Sequence, residues 1–445
     1  MREGMNRRKL LGALGIAAAG AALYKVPSLG DNTVAEDKEA KLAERVPMPF
    51  PYGEAAIEAY LEKYPEEQEH AETLRSLFAE FAREEIDRTK LYTAESGVEY
   101  PYTSVKVSEF AKKLYRDYRK KELGALLAAS SAPRQEFVFG TSIITAEGNE
   151  FNVVEEAMHQ CVMHLPAALQ ALDEGREPDE HEIFTLGMPT NVLGRIPPNA
   201  ADRFKAAPYE EMGKLYAEQI EKIANGSKPR SIELYGTSLG ASIAVRTGEV
   251  LIDTQAASQD VDARERGAPL LQIRVENPVA LGPASAYKVV QIPVGFLADA
   301  LLIEPGSAAM RRTDRGKANF LKTAGEELAK RGIKEQLSAG QASIKQGVLD
   351  RIIFDLEKGL VPRPGTKITE LYGLGDLTTV TPEMAKEANE RRRELKGAIG
   401  QYLLSREKPK ERRFAAKIPH YKPRYYGAEL SRMRVAAAAL EKLRQ

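Results

Sequence analysis

Tryptophan is absent from this 445-residue chain, and cysteine occurs once, at Cys161. A lone cysteine excludes an internal disulfide and a four-cysteine zinc site. A strong net charge is also missing, because 64 lysines and arginines balance 64 aspartates and glutamates. The chain therefore has no overall field that would attract nucleic acid, and no nucleic-acid partner is expected. Its 43% hydrophobic content and its length fit a globular protein with a large core.

The apolar run nearest the N-terminus, residues 10–24, is too short for a typical membrane-spanning helix, which needs roughly 20 residues. Arg7 and Arg8 precede it, and small residues follow near its end. A charged start before a short apolar stretch is typical of an export signal, and the adjacent arginines resemble a twin-arginine signal. We expect residues 1–30 to be an export signal or a membrane anchor. Residues 31–50 would be a linker, and the protein would be exported (extracytoplasmic) or membrane-anchored through its N-terminus.

Two patterns divide the rest of the chain. Residues 51–131 place apolar side chains at three- and four-residue steps, which predicts a helical N-terminal region. From residue 132 to 430, short β-prone runs alternate with helical segments, which predicts a doubly wound, mostly parallel α/β sheet. The predicted strands cover EFVFGTSIITAEG and FNVVEEAMH between residues 136 and 159, then residues 182–187, 231–235, 269–275 and 366–373. Residues 431–445 would form a C-terminal helix.

One helical stretch interrupts the alternation. Residues 282–360 contain helical periods between two predicted strands, so we expect a lid insertion over the C-terminal edge of the sheet. Basic clusters at 391–393 and 408–413 lack interleaved aromatic residues, which favours a solvated surface over a nucleic-acid site.

A serine lies between two glycines in GTSLG, residues 236–240, with a β-prone run before it and a helix-prone run after it. A G-x-S-x-G pattern in this setting predicts a nucleophile elbow, a tight turn that lifts the serine oxygen clear of the sheet. Glycines leave the room that such a turn needs. The helix that follows would direct backbone N–H groups at an oxyanion.

With this motif, and in the order of its elements from residue 135 to 426, the chain resembles the α/β-hydrolase superfamily. The resemblance implies that Ser238 is the nucleophile and that the Leu239 N–H is one oxyanion-hole donor. A second donor comes from a loop after an earlier strand. We assign it to Met188, because Pro189 has no N–H. Leu186-Gly187 stands where many members have His-Gly.

The resemblance also implies the chain order serine, acid, histidine. His420 is the only one of the five histidines that follows Ser238, so it is the expected base. Asp376, in LYGLGDLTTV, is the expected acid; Asp355 and Glu370 fall inside predicted elements and are weaker candidates. The alternatives are a surface histidine at 420 and, at 376, a turn aspartate that caps backbone amides.

These residues together predict a serine hydrolase, esterase- or lipase-like, that cleaves an ester or other acyl bond through an acyl-enzyme. A non-catalytic binding protein of the same fold, or an acyltransferase with the same triad, is the alternative. We expect a small-molecule or lipid-like acyl substrate and neither cofactor nor metal. His159 and His164 are five residues apart, which does not match the helical spacing of two metal ligands, and Cys161 is predicted to be a small buried hydrophobe.

Overall fold

The computed structural model describes residues 90–119, 126–129, 133–139, 152–191, 194–257, 270–276, 278, 281, 338–356, 360–364, 366–373, 401–405 and 410–415. The strands in these ranges are β1 (Lys90–Thr93), β2 (Glu99–Lys106), β3 (Arg134–Phe139), β4 (His181–Leu186), β5 (Ser231–Thr237), β6 (Leu270–Glu276), β7 (Ile368–Gly373), β8 (Gln401–Ser405) and β9 (Lys410–Ala415). The helices are α1 (Val107–Arg119), α2 (Asn152–Asp173), α3 (Pro198–Ala206), α4 (Pro208–Ser227), α5 (Leu239–Ala257) and α6 (Ala339–Leu356).

These strands form one sheet in the order β1-β2-β4-β3-β5-β6-β7-β9-β8. The six strands β4, β3, β5, β6, β7 and β9 are parallel, while β1, β2 and β8 pair antiparallel at the two edges. Strand β5 lies near the middle, between β3 and β6. The predicted doubly wound, mostly parallel sheet is confirmed.

One face of this sheet carries the main core. Alternate residues of the central strands point to it, and we name them the apolar face: Phe137, Phe139, Phe184, Leu186, Ile232, Leu234, Ile273 and Val275. Buried residues of α3, α4, α5 and α6 belong to the same core. Helices α1 and α2 pack on the opposite face, against β2 and β4.

The sequence prediction was wrong at two places in the first half of the domain. Residues 90–106, placed in the helical N-terminal region, form the β1–β2 hairpin of the sheet. FNVVEEAMH is not a strand but the start of α2, whose residues Ala157, Cys161 and Leu165 are all fully buried at four-residue steps. Cys161 is therefore a small buried hydrophobe, as predicted.

Two further predicted segments fall on described elements. Residues 410–413 belong to β9, which pairs with β7 on one side and β8 on the other, and their solvated surface stays a prediction. Helix α6 falls within the predicted lid, but its Val348 and Ile352 are buried in the main core, so this part of 282–360 belongs to the helical layer. Most of the remaining lid lies outside the described residues.

The predicted signal or anchor (1–30), the linker (31–50) and the C-terminal helix (431–445) also lie outside the described residues. Among the helices that are described, none combines the length and the hydrophobicity needed to span a membrane.

Candidate active site

Ser238 forms the turn between the elbow strand and the elbow helix. Strand β5 ends at Thr237 and α5 begins at Leu239, so one residue makes the reversal. The φ angle of Ser238 is 54°, in the left-handed region that residues with a side chain rarely adopt. Such a conformation costs about 1–2 kcal/mol and is found where surrounding structure enforces it. The G-x-S-x-G segment therefore has the backbone of a nucleophile elbow.

Gly236 permits this turn by allowing two backbone segments to touch. A Cβ placed on Gly236 would lie 2.2 Å from the carbonyl oxygen of Gly240 and 2.4 Å from its carbonyl carbon. Both atoms are backbone, so no side-chain rearrangement could relieve the overlap. The glycine is required here by a close approach.

The elbow helix holds the turn in place from the other side. Helix α5 is 19 residues long and buries Ala241, Ile243 and Ala244 in the main core. The Ala241 N–H donates to the Ser238 carbonyl oxygen at 3.2 Å. Because α5 starts at Leu239, its positive N-terminal end is directed at the turn, which favours a negative charge forming beside Ser238.

Met188 lies in the loop after β4, next to a hydrogen-bonded Gly187. The Gly187 N–H donates to the Pro101 carbonyl at 2.8 Å, and the Tyr216 hydroxyl donates to the Gly187 carbonyl at 2.9 Å. However, β3 separates β4 from β5. Neighbouring strands are about 4.8 Å apart, so the loop after β4 starts about 10 Å to the side of the elbow strand.

The neighbour of the elbow strand is β3, whose last residue, Phe139, pairs with Gly236. Residues 140–151, which follow β3 in the chain, lie outside the described residues. In the sheet order, Met188 therefore follows a strand that lies one position further from the elbow strand than β3 does.

Asp376 and His420 also lie outside the described residues. They follow β7, which ends at Gly373, and β9, which ends at Ala415. Because β5, β7 and β9 are parallel, the chain leaves all three at the same edge of the sheet. The weaker acid candidates lie inside elements, as expected: Asp355 accepts a hydrogen bond from Arg351 within α6, and Glu370 is buried in β7.

A charged cluster that sequence reasoning missed lies on the face opposite the main core. It comprises Arg134, Glu136, His164, His181, Glu233 and Arg274. The Glu136 carboxylate, 1% exposed, lies 3.1 Å from His181 Nε2 and 3.4 Å from His164 Nε2. The sequence does contain a sign of this cluster. Each of three strands that are neighbours in the sheet has a charged residue in its interior: Glu136 in β3, Glu233 in β5 and Arg274 in β6.

The pKa values of the charged cluster depend on the contacts of the Glu136 carboxylate with His164 and His181. Burial alone would raise the pKa of the Glu136 carboxyl, but His164, His181 and Arg274 together hold that pKa well below its usual range. Burial lowers the pKa of His181 to about 4, so its imidazole is neutral at pH 7. Burial, followed by the charge of Glu136, raises the pKa of Glu233.

The charged cluster reaches toward the elbow through side-chain contacts. The Arg274 guanidinium lies 4.8 Å from the centre of the Tyr235 ring, a cation–π contact. The Thr237 hydroxyl, directly before Ser238 in the chain, donates to the Tyr235 hydroxyl at 3.2 Å. The side of β5 that leads to Ser238 is thus lined with polar groups.

No protein-family model and no curated protein matches the chain. Among solved structures, similar ones are MGS-M2, an α/β-hydrolase enzyme from a Medee basin deep-sea metagenome library, and a thermophilic esterase from Thermogutta terrifontis. The first is 11% identical and covers 79% of this chain and 96% of its own, with a TM-score of 0.33. The second is 13% identical and covers 80% and 100%, with a TM-score of 0.33.

A bromoperoxidase from Bacillus anthracis is 10% identical and covers 80% of this chain and 99% of its own, with a TM-score of 0.36. These global likenesses are slight. The parallel strand order, the crossover helices on both faces and the elbow at Ser238 are the features of an α/β-hydrolase fold.

Proposed function

We propose that the chain is a serine hydrolase that cleaves an ester or other acyl bond with Ser238 as nucleophile. The observation that carries this proposal is the left-handed backbone of Ser238, at the carboxyl end of a central parallel strand and at the N-terminus of a buried helix. A strained residue persists where the structure over-determines it, and such residues cluster at active sites. A buried, purely structural turn would be filled more easily by glycine.

In the proposed mechanism the Ser238 hydroxyl attacks the acyl carbon while His420 takes its proton, and His420 then protonates the leaving group. Asp376 holds the imidazole in the required tautomer. The negative oxygen of the tetrahedral intermediate accepts a hydrogen bond from the Leu239 N–H. Water, activated by His420, then hydrolyses the acyl-enzyme and regenerates the serine.

The second oxyanion donor is proposed to lie in the loop that follows β3. The support is the pairing of Phe139 with Gly236, which puts β3 beside the elbow strand, whereas Met188 follows a strand one position further away. An oxyanion donor must reach within about 3 Å of the reacting oxygen.

A fluorophosphonate probe tests the nucleophile directly, since it reacts with activated serine. The wild-type chain should be labelled once, and Ser238→Ala should not be labelled. Ser231→Ala is the matched control, because Ser231 lies in the same strand at the end away from Ser238. Labelling that survives in Ser238→Ala, or that is lost in Ser231→Ala, would remove Ser238 from the proposal.

The substrate is proposed to be a small-molecule or lipid-like acyl compound whose fit is set by the lid. Helix α6 is part of the core, so the lid would be confined to residues before Ser338. Replacing residues 290–330 with a short glycine–serine linker should change relative rates among acyl chain lengths more than it changes hydrolysis of p-nitrophenyl acetate. Equal losses for all substrates would show that the segment supports the fold instead.

Residues 1–30 are proposed to direct export or to anchor the chain, on the evidence of Arg7, Arg8 and the apolar run at 10–24. A chain beginning at Asp31 should be folded and active. Replacing Arg7 and Arg8 with lysine should slow twin-arginine export, and unchanged export would contradict that route.

A further inference from the structure

Three donor atoms of the charged cluster converge on one point. Glu136 Oε2 lies 3.1 Å from His181 Nε2 and 3.4 Å from His164 Nε2, and the three atoms lie within 4.8 Å of one another. Four ligands around a zinc ion, at bond lengths of about 2.1 Å, are separated from each other by about 3.4 Å. The observed spacing therefore fits an ion between the three side chains.

The same three atoms lack hydrogen-bond partners within the described part of the chain. The two imidazole nitrogens lie 3.1 and 3.4 Å from the carboxylate oxygen, so the three atoms contact only one another at this point. The side chains of Glu136 and His181 are 1% and 4% exposed. Buried polar atoms are nearly always satisfied, so three donor atoms that converge on one point and contact only one another are well placed to bind an ion.

We propose that Glu136, His164 and His181 bind a divalent transition-metal ion of the zinc class. Two imidazoles and one carboxylate are a donor set that such ions accept. The His164 side chain is 25% exposed, and its Nε2 is buried together with the donor atoms of Glu136 and His181.

Arg134 is the group that the ion must displace. Its Nη2 lies 3.1 Å from His164 Nδ1 and 2.9 Å from His181 Nδ1. A guanidinium can only donate, so without a metal both Nδ1 atoms accept and both protons sit on Nε2. Metal binding at Nε2 moves each proton to Nδ1, with no net proton release, and turns the half-buried Arg134 outward. Arg134 and the metal are thus alternative cations of one site.

The metal would act on the fold and not in the reaction. Glu136 pairs with Glu233, five residues before Ser238 on β5, which corresponds to about 16 Å along the strand. The three ligands come from β3, β4 and α2. A bound ion would therefore fix α2 to the sheet at the edge away from Ser238.

The test begins with the full chain after treatment with a chelator and removal of the chelator. Titration with Co²⁺ should give visible absorption bands of a four- or five-coordinate site that saturate at one equivalent, and Zn²⁺ should abolish them. X-ray absorption of the zinc form should show two imidazoles. Zinc should also raise the thermal midpoint and leave fluorophosphonate labelling of Ser238 unchanged.

Variants separate the ligands from their surroundings. Glu136→Gln and His181→Gln should each weaken zinc binding by about 100-fold. Glu182→Gln is the matched control, because Glu182 neighbours His181 but points to the other face of the sheet, and it should bind like wild type. Arg134→Gln should bind about 10-fold more tightly, because it removes the competing cation and offers an oxygen to the Nδ1 protons.

The proposal is overturned if the wild-type chain takes up no stoichiometric zinc at micromolar concentrations, or if the bound zinc has no imidazole ligands. It is equally overturned if Glu182→Gln loses as much affinity as His181→Gln, or if Arg134→Gln weakens binding. The measurements on wild type and Arg134→Gln decide the matter even if the ligand variants do not fold.

Discussion

The apolar face and the charged cluster lie on opposite sides of the same strands and are buried by different means. Phe137 stacks on Phe184 with ring centres 4.9 Å apart, a contact that any well-shaped hydrophobe could partly replace. Glu136, one residue earlier, is equally buried but depends on specific charged partners. Adjacent positions in one strand therefore respond to different changes, the first to shape and the second to charge and pH.

The largest effect is expected where the apolar face ends, at Gly236. In Gly236→Ala the new methyl group would overlap the Gly240 carbonyl. We expect a loss of about 3 kcal/mol in the free energy of unfolding and loss of fluorophosphonate labelling, measured by urea denaturation and by gel fluorescence.

Gly226→Ala is the control, because nothing lies within 4 Å of the added methyl group near the end of α4. That variant should gain about 0.5–1 kcal/mol, as alanine does in a helix, and keep full labelling. A stable, fully labelled Gly236→Ala would refute the close approach at the elbow.

The variant Arg274→Met tests how far the charged cluster depends on charge. Arg274→Met keeps a long side chain over Tyr235 but leaves Glu136 and Glu233 facing each other on neighbouring strands. We expect a loss of about 2 kcal/mol at pH 7, discounted for the partial exposure of Arg274. Without the guanidinium the native pKa values of both carboxyls rise, so the loss should shrink as the pH falls from 7 toward 4.5.

Phe137→Leu is the counterpart on the apolar face. It should cost about 1–1.5 kcal/mol through imperfect packing, by the same amount at pH 7 and pH 5, because no titrating group is altered. The measurement is the urea midpoint of Arg274→Met and of Phe137→Leu, each at pH 7 and at pH 5. An Arg274→Met loss that does not change with pH would show that its charge is unimportant.

A smaller effect is expected from relieving the strain at Ser238. Glycine adopts a φ of 54° at little cost, whereas alanine does not. Ser238→Gly should therefore be about 1 kcal/mol more stable than Ser238→Ala, with both variants unlabelled. Lys228, at φ 50°, is the other non-glycine residue with positive φ among the described residues, and its glycine and alanine variants should differ similarly. Equal stability of the two Ser238 variants would contradict the strain.

The sequence predicted the parts of the molecule that depend on local pattern. The elbow was found because glycine, serine and glycine appear between a strand and a helix, and the central strands were found from their β-prone runs. The β1–β2 hairpin and α2 were missed, because short polar strands and a helix that starts with Val153 and Val154 give ambiguous periodicity.

Strand order was the information that the sequence could not supply. The sequence places Met188 in a loop after a strand, and only the strand pairing shows that β3 lies between that strand and the elbow strand. The charged cluster required the same knowledge, since His164 and His181 are 17 residues apart in the chain and meet only across α2 and β4. The spacing of His159 and His164 concerns a pair within one helix and does not predict a contact between α2 and β4.

The smallest predicted effect compares two glutamates on opposite faces. Glu136 has partners that lower its pKa, whereas burial raises the pKa of Glu182, with only partial compensation from Lys106 and from a hydrogen bond with Gln135. A raised native pKa means that folding disfavours the ionised form, so the Glu182 charge costs stability at pH 7. Glu182→Gln removes that charge and keeps a hydrogen-bonding group beside Gln135. Its urea midpoint should exceed that of wild type at pH 7, and the difference should shrink as the pH falls through about 4.3, the pKa of the unfolded carboxyl, and vanish near about pH 3. A lower midpoint at pH 7 would show that Lys106 outweighs the burial, and a difference that persists at about pH 3 would show that the Glu182 charge is not its cause.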